Sequence, residues 1–210
     1  MAHARLAAHK KNARRLNATI VLYDESGFML RPFARKTWAL RGQTPIIKCW
    51  DRRDRLSVIG GIIVPASALR TRTPRVRAAQ RHKLSAVFRI HANNIKAPQA
   101  TEFLRVLERH VQGPLIVVQD KLNVHRAAVK RWLQSRAPDA PRVMVEWLPS
   151  YAPELNPAEQ LWNNSKRVDL ANTTPADRHD LRTRVRRSLI RQRSRPNHLA
   201  SAFDHAGLSL

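Results

Sequence analysis

The sequence predicts one mixed α/β domain carrying a basic helical tail. Three observations lead there. Short β-branched runs crowd the first half, strand-like and helix-like segments then alternate, and a stretch of helical periodicity dense in arginine comes near the end.

Taken in order, Ala18-Thr19-Ile20-Val21-Leu22-Tyr23 is apolar and β-branched, as a buried strand requires, and Asp24-Glu25-Ser26-Gly27 ends it. Further strands are expected over 44–50, 56–64 and 86–91. Between the last two, 70–83 holds six Lys or Arg and one proline and reads as a basic loop. Phe103, Leu104, Leu107 and Val111 fall at helical spacing within 97–111. A strand over 115–119 ends at Asp120, a helix runs through 125–133, and a strand over 142–148 follows a proline-bounded loop. The segment 149–157 contains three prolines and reads as a loop, and a helix starts at Pro157 and reaches about Leu170. Over 175–195 the stripe Leu181, Val185, Leu189 marks a helix that is otherwise strongly basic. No internal repeat is visible. The expected divisions are a basic N-terminal arm over 1–17, the α/β domain over 18–172 and a basic helical extension over 173–210.

Charge narrows the function. Among 210 residues, 39 Lys and Arg face 15 Asp and Glu, a formal +24, while 43% hydrophobic residues suffice for a real core. So many uncompensated cations imply a polyanionic partner, and nucleic acid is the commonest. The single cysteine, Cys49, excludes an internal disulfide framework and a Cys-based zinc knuckle. No apolar run approaches the roughly 18 residues of a membrane span. The first residues carry charge but no apolar core or cleavage pattern, so no secretory signal is expected and cytoplasmic residence is the plain reading.

Acids are scarce, so their placement is informative. Asp24 and Asp120 each close an expected strand, and Glu159 lies in the first turn of the helix after Pro157. Carboxylates at the ends of sheet strands can converge where ligands bind. Hard oxygens of this kind hold Mg²⁺. Two such ions about 3.5–4 Å apart can activate one oxygen and stabilise another during phosphodiester displacement. Each acid also has a plainer role. Asp24 fits a turn, Asp120 fits an ion pair with Lys121 or Arg126, and Glu159 fits a capping box with Asn156 and Pro157 as N-cap and N1. On spacing alone both readings stand.

The surrounding residues carry a resemblance. Leu22-Tyr23-Asp24-Glu25-Ser26-Gly27-Phe28, with the later Trp38-Ala39-Leu40-Arg41-Gly42-Gln43-Thr44-Pro45, resembles the first catalytic block of DDE transposases of the mariner-like superfamily and its bacterial insertion-sequence relatives. Val118-Gln119-Asp120-Lys121-Leu122-Asn123-Val124-His125 resembles the second block. Leu148-Pro149-Ser150-Tyr151-Ala152-Pro153-Glu154-Leu155-Asn156-Pro157-Ala158-Glu159-Gln160-Leu161-Trp162 resembles the third and is the most specific. The blocks occur in the family's order and span most of 18–170.

The resemblance implies a ribonuclease H-like fold, a mixed sheet flanked by helices, with Asp24, Asp120 and Glu159 as catalytic ligands of two Mg²⁺ or Mn²⁺ ions. Glu154 matches a loop acid outside that triad. The implied activity is DNA cleavage at transposon ends and joining of the freed 3′-hydroxyl to target DNA, with a TA-rich target and a homodimer on paired ends. Three departures bear on it. The family usually has Asn after its second Asp, where this chain has Lys121, and 38 residues separate Asp120 from Glu159, a few more than usual. Members also carry helix-turn-helix modules before the catalytic domain, whereas about 17 residues precede the first strand here. The chain thus reads as a catalytic half, working with a separate or frameshift-fused helix-turn-helix part. The rival readings are an inactive, truncated remnant that only binds DNA, and a nuclease without strand transfer.

For DNA contact the candidates are Lys121, His125, Lys166, Arg167, Arg182, Arg186 and Arg193. Lys121 could touch a substrate phosphate. His125 fits either support of the scissile phosphate or packing. Lys166 shares a helix face with Glu159 and Trp162, being seven residues from the first, and Arg167 adjoins it. Trp162 reads as core, Trp38 as buried against the first strands, and Cys49 as inert. The 70–83 loop and the arginines of the 175–195 helix read as a phosphate-tracking surface that positions DNA without reading its sequence.

Overall fold

A computed structural model describes residues 11–31, 33–49, 54–69, 83–149 and 155–206 of the chain. The sheet is organised around its central strand, β1 (Thr19–Met29). On one side β1 pairs antiparallel with β2 (Arg55–Val64), which pairs antiparallel with β3 (Ser85–His91). On its other side β1 runs parallel to β4 (Leu115–Gln119), and β4 runs parallel to β5 (Val143–Trp147). The order β3-β2-β1-β4-β5 makes a five-stranded mixed sheet.

The two pairings of β1 differ in length, and that difference places the site. The ladder with β2 continues to Met29 opposite Arg55, but the ladder with β4 stops at Leu22 opposite Val118. Asp24 therefore does not end its strand, as the sequence suggested. The residues of β1 beyond it stay paired on the β2 side, while the β4 side opens just before Asp24.

Strand alternation sends successive side chains to opposite faces, so each face buries its own core. One face gathers Ile20, Leu22, Val58, Ile62, Ile116 and Val118. It is covered by α3 (Ala158–Asn164), α4 (Arg178–Arg193) and α5 (Pro196–His205). The other gathers Val21, Tyr23, Ile59, Leu115 and Val117 under α1 (Ala97–His110) and α2 (Asn123–Gln134). In the latter pair Phe103, Leu104, Leu107, Ala128 and Trp132 supply the apolar stripe.

Three expectations need correction. The 44–49 segment is irregular and exposed rather than a strand, and no strand among the described residues pairs with it. Trp38, expected in the core, is 99% exposed on the same excursion, which is tied back where Asn172 bonds the backbone of Phe33 and Arg35. The last helices are not a trailing tail. Leu181, Val185, Leu189, Leu199 and Phe203 are buried in the same core as the sheet, so only the outer side of α4 stays basic. Residues just before β1 likewise engage the core, with Ala13 buried and Arg14 bonded to the Leu69 carbonyl. The basic loop over 70–82 lies outside the described residues. Among those described, no helix is long and apolar enough to cross a membrane.

Candidate active site

Where β4 falls away from β1, three elements present acids to one opening. Asp24 comes from β1 beyond its last pair with β4, Asp120 follows the final residue of β4, and Glu159 lies in the first turn of α3. Asp24 is the hub. Burial, and next the charge of Glu159, push its carboxyl up from 3.8 to about 7, and Asp120 adds to the rise. Burial contributes most of this rise, and the charges of Glu159 and Asp120 add to it because both acids face the same opening. Among the described residues, however, no three His, Cys, Asp or Glu side chains are gathered tightly enough to hold one ion by themselves.

Each acid is held by different means. Asp24 Oδ2 accepts a 3.1 Å bond from Trp162 Nε1, three residues along α3 from Glu159. The indole can lie there because Asp24 pairs across the ladder with Gly60, where an added Cβ would come within 2.9 Å of the Trp162 ring. Thus Trp162 is core, as expected, and also orients a site acid. Glu159 is set by the start of its helix, one residue later than expected. Buried Asn156 donates to the Tyr23 carbonyl at 3.1 Å and accepts from Ala158 N at 3.1 Å, which ties α3 to β1 beside Asp24. The N-cap residue itself, Pro157, supplies no side-chain cap, so Glu159 completes no capping box.

Asp120 is held by His125, which lies in the first turn of α2. The ring is fully buried, with Nδ1 bonded to Asp120 Oδ1 and Nε2 3.2 Å from Glu25 Oε1. Burial works against the charged ring, but the two carboxylates outweigh it and raise its pKa to about 9. Burial likewise pushes Asp120 up, yet the bond and charge of His125 and the Leu122 N–H hold it below the usual carboxylate range. The structure thus places His125 behind Asp120, as its support, rather than on the open surface. Its ring has neither exposure nor a free nitrogen.

The other expected DNA contacts separate into two groups. Lys166 stands beside the acids: its Nζ donates to Ser26 Oγ at 2.7 Å and lies 5.3 Å from the centre of the Phe28 ring. Burial lowers its pKa, against the pull of Glu159 and Asp24. It sits just where α3 widens into a π-helical turn over Ser165–Asp169, with Leu170 N bonding Ser165 O at 2.9 Å. Such turns are often found at functional sites. Arg167 is exposed and stacks over Phe33 at 4.6 Å. Lys121 is exposed beside Asp120, and Arg182, Arg186 and Arg193 are exposed along α4, with Arg182 also bonding the Ile90 carbonyl of β3 at 3.3 Å. Glu154 lies outside the described residues.

The donor set suits a hard divalent cation. All three acids offer carboxylate oxygen, the ligand atom such a cation prefers, and Lys166 lies beside Asp24 and Glu159. Sequence reasoning missed Glu25 and Gly60. The signals were two adjacent acids in an acid-poor chain and a Gly-Gly pair inside a strand, which often permits close approach.

A mixed five-stranded sheet of this order, flanked by helices and carrying acids where β4 parts from β1, is a ribonuclease H-like fold. The model of the DDE superfamily endonucleases matches residues 19–182, and the chain belongs to that family. Solved structures agree on the fold. The Mos1 mariner paired end complex with Mn superposes with a TM-score of 0.59 at 16% identity, covering 97% of this chain and 56% of that one. The Mos1 Strand Transfer Complex gives 0.54 at 16%, covering 99% and 60%. A pre-cleavage Mos1 transpososome gives 0.55 at 14%, covering 100% and 61%. A further Mos1 paired end complex contains Mg. This chain thus spans under two thirds of the length of each. No curated protein sequence matches it.

Proposed function

We propose that the chain is the catalytic domain of a DNA transposase, cutting phosphodiester bonds at transposon ends and joining the freed 3′-hydroxyl to target DNA. The observation that carries this reading is the hub at Asp24, whose carboxyl is pushed to about 7 by burial and by Glu159 and Asp120 across the sheet opening. Membership of the DDE superfamily endonucleases supports it.

Asp24, Asp120 and Glu159 would hold two Mg²⁺ or Mn²⁺ ions, which when bound supply Lewis acidity to the attacking and leaving oxygens of an in-line displacement. The chain's own work is placement. Trp162 fixes the Asp24 carboxylate, His125 fixes Asp120, and Asn156 fixes the helix start that carries Glu159. Lys166 lies within the same opening as a cation for the phosphate next to the scissile one, with Lys121 at the rim. The exposed arginines of α4, with Arg167, hold the duplex by its phosphates and read no sequence. Water attacks in the first step, and the 3′-hydroxyl takes its place in the second. The partners are transposon-end and target DNA, a second copy of the chain across paired ends, and a helix-turn-helix part supplied separately or by frameshift fusion. The expected location is the cytoplasm, on the nucleoid.

The test is a duplex carrying the DNA that flanks the gene, incubated with a plasmid target in Mg²⁺ or Mn²⁺. Nicked ends and end–target joints are expected, and both should vanish in Asp120→Asn while DNA retention persists. Nicking without joints would reduce the chain to a nuclease. No cleavage with either metal would leave a DNA-binding remnant.

A further inference from the structure

Glu25 follows Asp24 in β1, so strand alternation turns it to the opposite face of the sheet. There it meets α2 instead of α3. Its Oε1 lies 3.2 Å from Nε2 of His125, whose Nδ1 is bonded to Asp120 Oδ1. The imidazole is 0% exposed, against 23% for the Glu25 side chain and 39% for Asp120. Tyr23 closes the ring's remaining side, its own ring 5.2 Å away and tilted by 59°. Carboxylates only accept here, so each ring nitrogen donates. A ring bonded at both nitrogens and packed on its face has one available orientation, because any rotation about its side chain breaks both bonds at once.

We propose that Glu25 is a positioning residue: acting through His125, it locks the Asp120 carboxylate so that one oxygen stays on the imidazole and the other is kept for the metal. The inference rests on the reading of Asp120 as a metal ligand. The sheet uses both of its faces to build one site. Asp24 and Glu159 come from the α3 side, while Glu25 and His125 brace Asp120 from the α2 side, joined through adjacent residues of a single strand. Outer partners that orient a ligating carboxylate typically matter 10–100-fold for metal affinity.

The test measures Mn²⁺ binding to the DNA-free protein by calorimetry, alongside cleavage rates across a metal titration. Glu25→Gln keeps the size of the side chain and should weaken Mn²⁺ binding by about 10-fold or more. His125→Gln should weaken it similarly, and the double variant should be no worse than the weaker single one, since both changes cut the same connection. Saturating Mn²⁺ should restore the maximal rate of Glu25→Gln and never that of Asp120→Asn. A purely structural role would lower the urea midpoint in EDTA and leave the folded protein's Mn²⁺ affinity intact, so wild-type affinity in Glu25→Gln overturns the proposal, as does strict additivity in the double variant. If the wild type binds no Mn²⁺, or Asp120→Asn binds it equally well, the metal reading of the site fails first and the relay fails with it.

Discussion

Replacing Asp24 with Asn should make the metal-free protein more stable while abolishing its response to metal. The carboxyl stands at about 7 in the fold against 3.8 ordinarily, for reasons of burial first and Glu159 second. Because the folded value lies above the unfolded one, the folded chain holds the extra proton between about pH 4 and 7. Stability contributed by this group therefore falls as pH rises through that window. At ~1.4 kcal/mol per pH unit the full penalty above pH 7 is on the order of 4 kcal/mol, and solvent at the opening reduces it to roughly 1–4 kcal/mol. Asparagine carries no charge and retains an oxygen for the Trp162 bond. In EDTA at pH 8 the variant should thus melt higher by about 3–10 °C, and near pH 4 the difference should shrink toward zero. Added Mg²⁺ should raise the wild-type midpoint and leave the variant's unchanged. A variant no more stable than wild type in EDTA, or one that gains equally from Mg²⁺, would refute the reasoning that repelling acids await a cation.

Gly60→Ala places a methyl 2.9 Å from both the Trp162 ring and the Val87 carbonyl; a loss of about 1–3 kcal/mol in urea unfolding is expected, with slower cleavage as the indole leaves Asp24. Ser188→Ala strips partners from buried Ser165 and from Asp169, which it bonds at 2.8 and 2.6 Å, so stability should fall by about 1–3 kcal/mol in the same assay. The triple change Arg182→Gln, Arg186→Gln and Arg193→Gln should flatten the log–log salt dependence of binding to a random duplex by up to about three, near 0.9 for each phosphate no longer neutralised. An unchanged slope would remove α4 from the DNA surface.

Much of the fold is readable because its elements obey local rules. The apolar, β-branched runs of β2, β3 and β4 and the helical stripe of α1 give ends within a residue or two of those observed. The 44–49 segment fails for a non-local reason: β-branched Ile46 and Ile47 satisfy propensity, but a strand needs a partner, and none pairs with it among the described residues. The stripe of Leu181, Val185 and Leu189 is plain in the sequence, yet sequence does not say what such a stripe packs against, and charge density suggests a tail where the structure has a covering helix. At the site, block residues point to Asp24, Asp120 and Glu159. What holds them is not legible, since His125 reaching Glu25, a hundred residues earlier, and Trp162 lying over Gly60 depend on how helices sit across the sheet.

The site is tested most directly by anomalous diffraction from crystals of the protein soaked in Mn²⁺. Two Mn²⁺ peaks about 3.5–4 Å apart, ligated by Asp24, Asp120 and Glu159 and absent from Asp120→Asn crystals, are the expected result. Manganese bound elsewhere, or a site to which one of the three carboxylates contributes nothing, would contradict it.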